Sequence, residues 1–258
     1  MFMTPSLYLL PVYLTIFAFG IVIGSFLNVC IYRIPKGETI VTTPSNCMTC
    51  GYHLKWYDLI PIFSWLFLGG KCRKCGAKIS VQYPLIECCN GILYVLIFSM
   101  KDFALLDGIL SCLLASALLV LAVIDARTFE IPLGINIFIL VLGVLHMGSD
   151  LSHWQQYIIG FFAVSLVLEL IVRLSHGKAM GGGDVKLMAA AGLFLGWKNI
   201  WIAFLIACIL GAVIHTIRMK CFGADRRLAF GPYLSAGIFI AMLWGERMIN
   251  WYLTTFFY

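Results

Sequence analysis

Apolar residues gather in long runs near 7–29, 83–100, 103–124, 131–148, 154–174, 185–197, 199–217 and 230–256, parted by short polar breaks. A helix needs about 20 mostly apolar residues to cross a hydrocarbon core of roughly 30 Å. The pattern therefore predicts an all-α polytopic membrane protein with about eight transmembrane helices. The run 185–197 is short, because helix of that length rises only about 20 Å. It either begins below the interface or is re-entrant, and irregular backbone at that depth is tolerated only beside protein or a water-filled cavity.

Composition agrees with this reading. With 62% hydrophobic and 12% charged residues, 258 residues offer too little polar surface to cover a water-soluble globule. No Lys or Arg precedes the first run, so it lacks the charged start of a secretory signal and reads as a retained helix. The breaks alternate in charge. One set holds 15 of the 18 basic residues, from Arg33 and Lys36 to Arg226 and Arg227 and including Lys178, and the other holds only Lys101, Lys198 and Arg247. The positive-inside rule makes the first set cytoplasmic and puts both termini outside. The net charge of +6 thus reflects topology and contact with anionic lipid; no nucleic-acid partner is expected. The organisation that follows is a first transmembrane helix over 1–29, a cytoplasmic loop domain over 30–82 and a multi-spanning domain over 83–258.

The loop domain holds Cys47-Met48-Thr49-Cys50 and Cys72-Arg73-Lys74-Cys75, separated by 21 residues and each followed by a glycine, Gly51 or Gly76. This is close to the spacing of a four-cysteine zinc ribbon. Lys71, Arg73, Lys74 and Lys78 would help keep the thiolates deprotonated. Metal-free pairs or disulfides are the alternatives. Four cysteines fill a tetrahedral sphere and leave no place for water, so the site reads as structural. The other six cysteines lie in or beside apolar runs as core residues, and the five histidines show no metal-ligand spacing.

Acidic residues in or at the edge of a spanning helix are costly and point to function. Asp125 ends an apolar run and Asp184 ends Gly181-Gly182-Gly183-Asp184 before the next one. The topology sets both at the cytoplasmic face at similar depth. Two adjoining carboxylates share a proton, so one can act as general base on a water and the other as general acid. The three glycines can take positive φ and let a substrate backbone approach. Taken alone, Asp184 could be a helix N-cap and Asp125 an interfacial partner of Arg127. Glu169 and Arg173 have the i,i+4 spacing of an ion pair.

Six segments in order resemble one family: GSFLNVCIYRIP (24–35), the cysteine tetrad, ISVQYPLIE (79–87), IDARTFEIP (124–132), GGGDVK (181–186) and FGPYLSAG (230–237). Together they are similar to the type IV prepilin peptidases, members of the GxGD class of membrane aspartic proteases. The resemblance implies an enzyme of the bacterial inner membrane, multi-pass, with its active site at the cytoplasmic face. Such an enzyme removes the basic leader of prepilins and pseudopilins after a glycine, then methylates the new N-terminus with S-adenosylmethionine. It also implies that Asp125 and Asp184 are catalytic, that Lys186 fills the family's GxGDxK position, and that Glu87 and Gly91 belong to the methylation function. The chain departs from the family at Leu133, where Asp is usual, at Ala229, where Pro is frequent, and at Cys88-Cys89, where a leucine pair is usual. A peptidase without methylation and a proton-coupled transporter are the competing readings. The complete tetrad argues against the first, and the clustering of acids at cytoplasmic ends against the second.

Overall fold

A computed structural model describes residues 5–177, 180–223 and 228–256. Lys178, Arg226 and Arg227, expected among the cytoplasmic basic residues, lie outside the described residues. Among the described residues there is no strand, only isolated β-bridges at Asn46–His53 and Lys71–Lys78. The helices are α1 (Pro5–Arg33), α2 (Phe63–Phe67), α3 (Gln82–Met100), α4 (Leu105–Thr128), α5 (Leu133–Ser149), α6 (Trp154–Ala163), α7 (Ser165–Leu174), α8 (Gly182–Phe222) and α9 (Gly231–Phe256). All eight apolar runs fall in helices. Among the described residues five stretches are long and apolar enough to cross a membrane: Leu9–Lys36, Gln82–Met100, Leu105–Thr128, Leu151–Leu174 and Gly182–Cys221. Helix α5 is apolar but shorter. The chain divides into two compact units, Met1–Ala104 and Leu105–Tyr258.

In the first unit α1 and α3 run antiparallel. Tyr32 stacks on Tyr83, the Asn28 amide donates to the Tyr83 carbonyl at 3.2 Å, and the Asn90 amide donates to the Gly20 carbonyl at 2.8 Å. The backbones approach so closely that a Cβ on Gly20 would lie 2.6 Å from the Cα of Gly91. Small residues and buried amides serve here because lipid offers helices no hydrophobic reason to associate. Between the two helices lies the cysteine loop. There the Arg73 guanidinium pairs with Asp58 at 2.7 Å and lies over the Tyr57 ring. Burial alone would raise the Asp58 carboxyl, but Arg73, the Lys55 N–H and the Tyr52 hydroxyl hold it below its ordinary value.

In the second unit α8 is central: α5, α6 and α9 pack on it, and α4 lies against α9 and α5. A straight helix the length of α8 would rise about 60 Å, far more than the hydrocarbon core. It bends at Gly196, whose φ of 77° and ψ of 167° belong to a region open essentially to glycine alone. The runs 185–197 and 199–217 are thus separate helical limbs on either side of the break at Gly196, as the sequence predicts. Each limb buries a stripe, Leu187, Ala191 and Phe194 before the bend and Ile200, Ala203 and Ala207 after it. Helices α5 and α6 meet at Asp150, whose carboxylate accepts from the Ser152 and Tyr157 hydroxyls and contacts the His153 ring. On α7, Arg173 donates to Glu169 at 2.8 Å, the pair its spacing predicts.

Candidate active site and metal centre

Asp125 lies one turn before the end of α4 and Asp184 in the first turn of α8. Both are buried, at 5% and 9% exposure, and their carboxylates lie within electrostatic range of each other. Asp125 is a buried polar terminus of an otherwise apolar stripe that includes Leu114, Leu118, Leu121 and Ile124. Each carboxylate is held by a glycine backbone. The Gly231 N–H at the start of α9 donates to Asp125 Oδ2 at 2.8 Å, and the Gly181 backbone bonds to Asp184. A Cβ on Gly231 would lie 2.7 Å from that Oδ2, so the contact requires glycine. FGPYLSAG is part of the family resemblance, but the sequence assigns Gly231 no task because its partner lies 106 residues away.

The glycine turn differs from its expected form. Gly181, Gly182 and Gly183 are all absent from the positive-φ residues, because Gly181 is extended (φ −79°, ψ 146°) and α8 begins at Gly182. Gly183 is required by sterics instead, since its Cβ would sit 2.9 Å from that of Ile131. Gly182 faces open space. The Asn136 amide of α5 donates to the Gly183 carbonyl at 3.3 Å and braces the turn. Asn136 and Lys186 also line a cleft of about 160 Å³, together with Leu133 and Phe161. Leu133, one of the departures from the family pattern, therefore borders the space next to the aspartate turn.

In the first unit the sulfurs of Cys47, Cys50, Cys72 and Cys75 all lie within 4.8 Å of one another. The two knuckles are built alike. Gly51 and Gly76 return their N–H groups to the carbonyls of Cys47 and Cys72 at 2.9 Å, with φ of 67° and 71°. The four sulfurs converge on one point and none is joined to another by a disulfide. Tetrahedral zinc with sulfur ligands at about 2.3 Å sets neighbouring sulfurs roughly 3.8 Å apart, and Cys47 and Cys75 lie at 3.9 Å. The donor set fits such an ion. The backbone N–H groups of Cys50 and Thr49 bring the Cys47 thiol down to about 6. The Ala77 backbone bond favours the Cys75 thiolate, but burial and the neighbouring sulfurs outweigh it and push Cys75 up to about 11. A dication at this point would displace the Cys75 proton on binding.

Glu87 and Gly91 lie one turn apart on α3, both buried. Glu87 accepts the Ile62 N–H at 2.7 Å and interacts with the Ser25 hydroxyl. A Cβ at Gly91 would strike the Phe17 ring at 2.6 Å. The Ile62 turn and helix α1 thus pack directly against both residues.

These features define a helical, multi-pass membrane protein with a buried carboxylate pair in one unit and a four-cysteine cluster in the other. Residues 18–100 match the model of the bacterial peptidase A24 N-terminal domain, and residues 112–216 that of the type IV leader peptidase family. The chain is 34% identical to a prepilin leader peptidase/N-methyltransferase of Bacillus subtilis (strain 168), over 92% of this chain and 96% of the relative. It is also 34% identical to one of Aeromonas hydrophila, over 93% of each chain. A third, from Xanthomonas campestris pv. campestris, is 33% identical over 91% of this chain and 92% of the relative. No solved structure gives a significant match. The chain belongs to the type IV leader peptidase family.

Proposed function

We propose that this protein cuts the basic leader from prepilins and pseudopilins at the cytoplasmic face of the bacterial inner membrane and then methylates the exposed amino group. The observation that carries the peptidase half is the pairing of two buried carboxylates, Asp125 and Asp184, at the ends of different helices within one unit. One carboxylate takes a proton from water as its oxygen attacks the peptide carbonyl, and the other protonates the departing amine. The Gly231 N–H donates to Oδ2 of Asp125 and orients that carboxylate. Asn136 and Gly183 support the turn that carries Asp184, and Lys186 flanks the adjoining cleft.

A prepilin presents a basic leader followed by an apolar helix, and the bond between them lies at the membrane boundary. The 15-to-3 distribution of basic residues along the sequence supports the same boundary on the cytoplasmic side, with both termini outside. In the methylation half, S-adenosylmethionine supplies the methyl group. The first helix, the cysteine loop and the α1–α3 contact around Glu87 and Gly91 serve this half by holding the first unit in shape, with structural zinc on Cys47, Cys50, Cys72 and Cys75.

Asp125→Asn and Asp184→Asn are each expected to abolish cleavage of a co-expressed prepilin while the protein stays in the membrane. Complete leader removal by either variant would sink the proposal. Transfer of a labelled methyl group from S-adenosylmethionine to processed pilin tests the second half, and a processed pilin without label would restrict the enzyme to peptidase chemistry.

A further inference from the structure

The stretch between the two cysteine knuckles turns an apolar face outward. Trp56 is 77% and Phe67 87% exposed, and Leu59, Ile60, Phe63 and Leu66 are exposed beside them. Asp58, the one charged residue from 56 to 68, turns inward to Arg73 and keeps 2% side-chain exposure. A patch of this kind marks an interaction surface.

Its position relative to the bilayer is set by two bonds. The Ile62 N–H donates to Glu87 of α3 at 2.7 Å, and the Trp65 indole N–H donates to the Ile79 carbonyl at 3.2 Å, three residues before α3 begins. Glu87 lies five residues into α3, about 7 Å along a helix that is long and apolar enough to span. Ile62 adopts φ 63° and ψ −54°, and Phe63 N–H returns to the Pro61 carbonyl at 2.6 Å. This is the rare classic γ-turn, an awkward shape for a β-branched residue. It is held by the Glu87 carboxylate, and Phe63 and Phe67 after it are exposed. Exposed Lys55, Lys71, Lys74 and Lys78 flank the patch. Aromatic and aliphatic side chains at the edge of a spanning helix, rimmed by lysines, are the chemistry of a segment lying in the boundary between headgroups and acyl chains of an anionic bilayer.

We infer that residues 56–68 form an interfacial membrane anchor that lays the cysteine knuckles against the surface of an anionic bilayer. The anchor adds a lipid-binding surface to the proposed function and does not depend on either enzymatic activity.

The test uses the full chain in vesicles of phosphatidylcholine and phosphatidylglycerol. Trp56 emission is read as the difference between wild type and Trp56→Phe, with acyl chains brominated near the carbonyl end or with acrylamide in the water. The expected result is that bromine removes most of the Trp56 emission while acrylamide removes little. Quenching by acrylamide but not bromine would make the segment a solvated loop, and protection from both would mean that protein covers it; either overturns the anchor. Phe67→Trp in the Trp56→Phe background repeats the measurement at the other end of the patch. The two sites must agree, and an unquenched Trp at 67 in brominated lipid would overturn the proposal just as well.

Discussion

Gly231 shows how much of this site hangs on single atoms. Its N–H reaches Asp125 because no side chain stands between them. Gly231→Ala would push the α9 terminus off that carboxylate, and displacement of a catalytic group by about 1 Å can cost on the order of 100-fold in rate. Turnover of prepilin by the variant should fall by about that factor, with near-normal thermal unfolding because the surrounding core is unchanged. Full turnover would show that the bond does not position Asp125. Asp150 carries a different kind of prediction. Ser152, His153 and Tyr157 hold its carboxyl down to about 2, against about 3.9 for an ordinary aspartate. A depressed folded value stabilises the ionised form, so the contribution is complete above the unfolded value and is lost as pH falls from about 4 toward 2. Wild type should therefore lose unfolding temperature over that window, and Asp150→Asn, which lacks the ionisation, should lose less.

At the scale of elements, the break at Gly196 divides α8 into a limb that carries the aspartate turn and a limb that packs on α9. Gly196→Ala meets no close atom, its nearest neighbour being 3.8 Å away, yet it forces a side chain into a glycine-only conformation at a cost of about 1–3 kcal/mol. Chemical denaturation of the variant should show a loss of that order, and Gly196→Ala with unchanged stability would mean that the bend relaxes freely. Sequence periodicity located both limbs and marked 185–197 as too short to cross alone. The two stay distinct in the structure, because the backbone at Gly196 leaves the helical region between them. The break between α6 and α7 at Val164 was hidden, since residues 154–174 read as one apolar run.

For the whole molecule, the proposed zinc site matters because its four cysteines come from knuckles 21 residues apart that share no regular secondary structure. Purified protein should carry about one zinc per chain, and Cys47→Ser or Cys75→Ser should remove it. Hydrogen exchange across residues 45–78 should then accelerate, while α1 and α3, held by Asn28, Asn90 and the glycine contact, keep their protection. Metal analysis of fresh wild-type protein that finds no ion would contradict this.

Residue order by itself determined the helical class, the approximate placement of the spans, the four candidate metal-binding cysteines and the two candidate aspartates. Each of these is a local signal: long apolar runs, a repeated Cys-x-x-Cys, and charges where charge is expensive. Only the tertiary structure decided that Asp125 meets the N–H of Gly231, that Asn136 braces the turn at Gly183, that Gly183 serves close packing against Ile131 rather than positive φ, and that Glu87 ties down the strained turn at Ile62. Those contacts join positions from 25 to 106 residues apart. Which distant backbone atom arrives beside a buried carboxylate depends on how α4, α8 and α9, or α1 and α3, pack, and packing is written in no single stretch of the chain.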